Sequence, residues 1–173
     1  MKEAEALYKF LVQCPHGGRA LITGSRLYEG SYDRRGWYKD PYCVDMLPGD
    51  GVDLVHDLEE PLDQGKFNHV DCCSVLEHVR RPWLFAENIQ NVLEPSGTIL
   101  VSVPFVWRMH AYPSDYWRMT PEAMPALFPE IEWKQRQIFA HGKPCKKPGV
   151  LTEGKRSHLE RCEVFAFGVK KCA

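Results

Sequence analysis

The sequence lacks several features that would define its class at once. No apolar run approaches the ~18 residues that a bilayer crossing needs, so we expect no membrane partner. Neither sign of charge is in excess, because 22 Lys and Arg face 23 Asp and Glu, and this gives no overall reason to expect nucleic acid as a partner. Internal repeats and low-complexity tracts are also missing. At 44% apolar, the 173 residues can bury one core, and we expect a single domain over residues 1–173.

The seven cysteines lack the paired spacing of a zinc site. An odd number cannot pair completely, and no apolar leader is visible, so we expect reduced thiols and a cytoplasmic protein. Cys72 and Cys73 lie within a predicted strand, where thiols are usually small buried side chains. We therefore expect no metal site. The oligomeric state is left open.

Alternating apolar segments and turns predict an α/β domain. Strands are predicted at residues 20–23, 42–46, 52–55, 67–73 and 98–103, and the last is nearly continuous in apolar residues, as in a strand covered on both faces. Helices are predicted over 3–12, over 82–93 and, in short form, over 120–128. Two later strands, 131–140 and 163–170, flank a polar loop over 142–157. The succession predicts a doubly wound, mostly parallel, Rossmann-like sheet of about seven strands with an antiparallel C-terminal strand.

Short motifs at the ends of these segments carry a family resemblance. They are Leu21-Ile22-Thr23-Gly24-Ser25, Val44-Asp45, Val52-Asp53-Leu54-Val55-His56-Asp57-Leu58, residues 67–79 and Val92-Leu93-Glu94-Pro95-Ser96-Gly97-Thr98. In this order, over residues 20 to 128, they resemble the class I S-adenosylmethionine-dependent methyltransferases, of the small type 11-like kind. Residues 110–121 look like a segment that follows the fifth strand in one branch of these enzymes. The resemblance implies S-adenosyl-L-methionine as cofactor and methyl transfer to an unidentified acceptor, which we expect to be a small molecule.

The resemblance places the cofactor at the ends of the first four strands. Gly24 would let the backbone approach the methionine part, and Ser25 could hydrogen-bond it. Asp45 ends the second strand, where a carboxylate can accept both ribose hydroxyls. In the family, the next strand ends hold adenine and border the methyl group. The full candidate set is Gly24, Ser25, Asp45, Asp57, Leu58, Ser74, Glu77 and His78. Structural alternatives stay open: turn residues, a cap at Asp57, and a helix-start pair at Glu77 and His78.

The acceptor is expected beside the segment after the fifth strand. A base is needed only if the acceptor must lose a proton, and His110 and Asp115 are the catalytic candidates. The candidate substrate contacts are Tyr112, Tyr116, Trp117 and Arg118. The alternatives are that the histidine and aspartate are structural, and that Arg118 forms an internal ion pair with Asp115.

The first turn departs from the family pattern. Arg26, Leu27 and Tyr28 stand where small residues are expected, so the backbone there is less open to a ligand. Residues 29–37 have no apolar helical period, which predicts a loop where the family has a helix. A catalytically silent methyltransferase-like binding domain is therefore the alternative function. A nicotinamide-dependent dehydrogenase is weaker still, because the full G-x-G-x-x-G turn is missing.

Overall fold

A computed structural model describes residues 17–110, 114–140, 143–144 and 162–172. Its strands are β1 Arg19–Thr23, β2 Asp40–Asp45, β3 Leu54–Val55, β4 Phe67–Cys73, β5 Leu93–Val106, β6 Ile131–Ala140, β7 Lys143–Pro144 and β8 Cys162–Lys170. They form one sheet in the order β3-β2-β1-β4-β5-β8-β6-β7. The predicted strands are therefore present, although β5 runs from Leu93 to Val106 where 98–103 was predicted, and β3 is only Leu54–Val55 where 52–55 was predicted.

The sheet is mostly parallel, as predicted. Strands β1 to β5 pair with one another in parallel, whereas β8 runs antiparallel to both β5 and β6. The antiparallel C-terminal strand thus lies inside the sheet. The sheet has eight strands, of which β3 and β7 have two residues each, and the predicted Rossmann-like α/β fold is confirmed.

Two α-helices lie in the described residues, α1 Pro82–Val92 and α2 Ala123–Leu127. Proline occupies the first turn of α1, where its missing N–H costs no hydrogen bond. Phe85, Ala86 and Ile89 lie on the buried face of this helix and are at most 1% exposed. Short 3₁₀ helices occur at Arg35–Trp37 and Leu76–His78. The predicted helix over 3–12 and most of the predicted loop over 142–157 lie outside the described residues.

The crossover from β1 to β2 has no α-helix, as the missing apolar period predicts. Between the two strands only the 3₁₀ turn Arg35–Trp37 is regular. The crossover is instead attached to the sheet through Asp71, a fully buried residue of β4. Arg34 Nε lies 3.2 Å from Asp71 Oδ1, and the Tyr38 hydroxyl donates to Asp71 Oδ2 at 3.2 Å. Arg34 Nη2 also donates to the carbonyl of Thr23 at 2.9 Å. A buried polar cluster therefore holds this crossover in place.

The thiols behave as expected where the structure describes them. Cys43, Cys72, Cys73 and Cys162 are free and buried, and Cys172 is free and exposed. Burial raises the pKa of Cys43 to about 11, so its thiol stays protonated at neutral pH. Among the described helices, none is both long enough and apolar enough to cross a membrane.

Candidate functional site

A cleft of about 1310 Å³ opens at the carboxyl ends of the parallel strands. This volume exceeds the roughly 300–1,000 Å³ of a pocket for one drug-sized ligand. All the candidate cofactor residues line it: Gly24, Ser25, Asp45, Asp57, Leu58, Ser74, Glu77 and His78. The structure thus brings together residues from four separate strand ends.

The turn after β1 requires its glycine. Gly24 has a φ of +58°, and a Cβ built on it would lie 2.5 Å from Cγ2 of Val75. Any larger residue would therefore be strained and would also push against the turn after β4. Next to it, the Ser25 hydroxyl is buried and has no hydrogen-bond partner among the described residues. An unsatisfied hydroxyl beside the cleft can hydrogen-bond a bound molecule.

Asp45 connects the second strand end to the first. Its Oδ2 accepts a hydrogen bond from the Arg26 amide at 3.0 Å, and its Oδ1 accepts one from the Leu47 amide at 2.9 Å. Each carboxylate oxygen has a second lone pair, so Asp45 can also accept from a ligand hydroxyl. Asp57 Oδ1 accepts a hydrogen bond from the Glu59 amide at 2.9 Å, so the alternative that Asp57 caps a turn is present. Asp57 also lines the cleft.

The turn after β4 places a carboxyl group inside the protein. Ser74 has a φ of +54°, an unusual conformation for a residue other than glycine, and the chain then enters the 3₁₀ turn. Glu77 is only 1% exposed, and its Oε2 is buried without a hydrogen-bond partner among the described residues. Burial raises the pKa of Glu77 to about 8, with smaller contributions from the carboxylates of Glu163 and Asp115.

Two histidines surround this carboxyl group. His78 Nε2 lies 3.7 Å and His110 Nε2 3.9 Å from Glu77 Oε1. The two rings meet edge to face, with centroids 4.8 Å apart. His78 Nδ1 lies 2.6 Å from the carbonyl oxygen of Ser114, an atom that only accepts, so the proton of a neutral His78 is on Nδ1. Burial also lowers the pKa of His78, which favours that neutral form.

Asp115 holds His110 and is itself held by Arg118. Asp115 Oδ2 lies 3.0 Å from His110 Nδ1 and accepts from the His110 amide at 2.8 Å. Arg118 donates to both oxygens, from Nη1 at 2.5 Å and from Nη2 at 2.8 Å, so the internal ion pair is present. Hydrogen bonds from Arg118 hold the pKa of Asp115 well below its usual range. Asp115 therefore stays ionised, helps to hold His110 in place and is a weak base.

The other acceptor-side residues occupy different places. His110 and Tyr116 line the cleft. The Trp117 ring nitrogen donates to the carbonyl of Val79 at 2.9 Å, and the Tyr116 amide donates to the carbonyl of Glu77 at 2.7 Å, so this segment is attached to the turn after β4. Tyr112 lies outside the described residues.

Sequence patterns did not single out three further residues that line the cleft. They are Arg34 from the β1–β2 crossover, Trp107 after β5 and Glu163 at the start of β8. Glu163 reaches the cleft because β8 pairs beside β5, with Glu163 opposite Pro104. No local sequence pattern indicates that Glu163 lies in the cleft, because its place depends on where the C-terminal strand enters the sheet.

Comparison with known proteins finds similarity to methyltransferases. Residues 40–101 match the family model described as a methyltransferase domain. No curated protein matches the chain significantly.

Similar solved structures include the N-methyltransferase NodS from Bradyrhizobium japonicum WM9 in complex with S-adenosyl-L-homocysteine. Its TM-score is 0.64 at 12% identity, over 98% of this chain and 85% of that chain. The YcgJ protein from Bacillus subtilis has a TM-score of 0.68 at 11% identity, with both chains covered to 100%. A putative methyltransferase from Bacillus halodurans C-125 has a TM-score of 0.65 at 12% identity, over 96% of this chain and 98% of that chain. At such identities the similarity establishes the fold. The chain therefore has the fold of these methyltransferases, and residues 40–101 match a methyltransferase domain, in agreement with the resemblance seen in the sequence.

Proposed function

We propose that this protein is an S-adenosylmethionine-dependent methyltransferase that acts on a small molecule. The observation that carries the proposal is the convergence of eight residues, from four strand ends, on one cleft. The family match supports the enzyme class and the cofactor. The free, buried thiols fit a reducing compartment, and we therefore keep the cytoplasm as the proposed location.

The residues of the cleft fit the three parts of this cofactor. Gly24 allows close approach at the methionine part, and the unsatisfied Ser25 hydroxyl would hydrogen-bond it. Asp45 would accept from the ribose hydroxyls with its remaining lone pairs. Asp57 and Leu58 would hold adenine. When bound, the cofactor supplies a methyl group that its sulfonium has already activated.

The chain itself then has to orient the acceptor and exclude water. Orientation in a closed site can supply about 7–11 kcal/mol of the barrier lowering. His110, with Nδ1 beside the charged Asp115, presents Nε2 as the atom that would accept a proton from the acceptor. Asp115 acts as a positioning residue, because Arg118 keeps it ionised and fixed. Tyr116 and Trp107 would form walls of the acceptor part of the cleft.

One observation favours the alternative of a silent binding domain. The helix that the family has between the first two strands is missing, so the first turn is bordered by the long side chains of Arg26 and Leu27. A cleft of this shape could keep the fold and bind a partner instead of the cofactor.

Calorimetric titration separates the two functions. We expect the wild-type protein to bind S-adenosylmethionine and S-adenosylhomocysteine, and Asp45→Ala to bind about 10- to 100-fold more weakly, because hydrogen bonds to a charged group contribute about 1.5–3 kcal/mol. Asp45→Asn keeps one acceptor oxygen and should fall in between. Asp40→Ala, at the other end of β2, is the matched control and should bind normally. No heat from the wild-type protein at high cofactor concentration would exclude the enzyme and favour the silent domain.

A further inference from the structure

Three potential metal ligands meet in the wall of the cleft. Glu77, His78 and His110 each offer one ligand atom, and these atoms lie within 4.8 Å of one another. The three residues come from two segments: the turn after β4 supplies Glu77 and His78, and the segment after β5 supplies His110. All three line the cleft, so a bound ion would be reachable from the acceptor side.

One of the two histidines is oriented as metal ligands usually are. A ligating imidazole normally binds with one nitrogen while the other donates to a carbonyl or carboxylate. His78 Nδ1 lies 2.6 Å from the Ser114 carbonyl and fits this pattern, whereas His110 Nδ1 lies 3.0 Å from Asp115 Oδ2, close enough for an ion pair but without hydrogen-bond geometry. Both Nε2 atoms are therefore left facing Glu77. Arg118 holds Asp115 in place by donating to both of its carboxylate oxygens.

The carboxyl group is the second and independent observation. Glu77 is 1% exposed, and its Oε2 is buried without a partner among the described residues. A buried acid in this condition is costly unless it meets a cation or a proton.

We propose that Glu77, His78 and His110 bind a divalent transition-metal ion through the Glu77 carboxylate and the two Nε2 atoms. Two imidazoles and one carboxylate form the ligand set of catalytic zinc and non-haem iron sites, whereas magnesium prefers oxygen alone. Ligands about 2.1 Å from a tetrahedral zinc lie roughly 3.4 Å apart. The present separations from Glu77 Oε1 are 3.7 and 3.9 Å, and all three ligand atoms lie within 4.8 Å of one another, so the side chains would move inward to close on the ion.

The catalytic role of the ion depends on the proposed methyl transfer. The proposal that the ion binds to these three residues does not. Three protein ligands leave coordination positions open toward the cleft, where an acceptor oxygen can bind. A hydroxyl bound to such an ion releases its proton to water more readily. His110 would then act as a ligand, and the ion would take over the task of making the acceptor nucleophilic. An acceptor with a hydroxyl group is the substrate class that this site fits.

Metal binding can be measured on the full chain without cofactor. Metal-free protein is titrated with zinc by calorimetry and with cobalt by visible absorption, which reports nitrogen and oxygen ligation directly. We expect one equivalent to bind with a cobalt spectrum of low symmetry. His78→Ala and His110→Ala should each weaken binding at least ~100-fold, and Asp115→Asn about 10- to 100-fold, as for other supporting residues of metal sites.

The controls exclude adventitious binding. His56→Ala removes another histidine of the same cleft, and Cys172→Ser removes the exposed thiol, so both should bind like wild type. Glu77→Gln keeps the shape of the side chain and should also weaken binding, which keeps the test informative if a histidine variant unfolds. Equal zinc affinity in wild type and in these ligand variants, or a cobalt spectrum unchanged from free cobalt, would overturn the site. Loss of S-adenosylhomocysteine binding alone would instead remove the proposed methyl transfer and leave the metal site standing.

Discussion

The two crossovers that flank the cleft are held to the sheet by different kinds of interaction. The crossover from β4 to β5 is the helix α1, whose apolar face is buried in the main core. The crossover from β1 to β2 has no α-helix and is held through Arg34, Asp71 and Tyr38. Apolar burial stabilises mainly in proportion to the area removed from water, whereas a buried ion pair contributes only while both partners are in place. The helical crossover therefore supports the fold, and the polar crossover leaves room for the site.

The largest effect is expected in the helical crossover. Phe85 is 1% exposed, so Phe85→Ala should lower the free energy of unfolding by about 3–5 kcal/mol, through lost burial and the cavity left behind. Urea denaturation measures this. Trp83→Ala on the same helix, 55% exposed, should change stability by less than about 0.5 kcal/mol. Equal effects of the two changes would contradict the claim that the inner face of α1 carries the stability.

The next effect concerns the polar crossover. Arg34→Met should cost about 3–5 kcal/mol, because it leaves Asp71 charged, buried and without its cation. The double variant Arg34→Met with Asp71→Leu should recover much of the loss, since an apolar pair can replace a buried ion pair. Urea denaturation of the three variants forms a double-mutant cycle.

The neighbouring pair on the same crossover gives the control for this cycle. Arg35 and Asp33 form an ion pair with both side chains more than 40% exposed, and Arg35→Met should cost less than about 1 kcal/mol. Additive losses in the Arg34 and Asp71 variants would mean that the two residues do not act as a pair.

The smallest effect on stability is expected at the cofactor turn. Gly24→Ala should destabilise by about 1–2 kcal/mol, because alanine is strained at positive φ and its Cβ meets Val75. It should also weaken S-adenosylhomocysteine binding about tenfold, since the turn would shift. Gly36→Ala on the same crossover has nothing within 4 Å of the new Cβ and should behave like wild type. Unchanged affinity in Gly24→Ala would show that the polar crossover does not shape the cofactor site.

Local sequence patterns predicted the strands and helices but not which strands pair with one another. The bounds of β4 agree with the predicted residues 67–73, and α1 begins at Pro82 as predicted, because a bounded apolar run and a helical period are both visible in a short window. The position of β8 between β5 and β6 was not predictable in this way, since strand pairing is decided by contacts distant in the sequence.

The same distinction applies to the candidate site. The carboxyl end of a parallel strand can be located from the sequence, and the eight cofactor candidates at these ends all line the one cleft. No sequence pattern indicated that Arg34 pairs with Asp71, because a charged residue in an irregular segment is usually solvated. The approach of His110 to Glu77 also depends on tertiary structure: the Tyr116 amide donates to the Glu77 carbonyl and brings the two segments together.

The insertion of β8 has a consequence for the order of folding. During synthesis β5 emerges long before β8, although β8 is its hydrogen-bonding neighbour over residues 98–106. Until β8 arrives, the apolar edge of β5 stays unpaired and can associate with other chains, as open strand edges do. The cleft also gains Glu163 only at that moment. A ribosome-bound chain that ends before β8 is therefore both prone to aggregation and without a finished site.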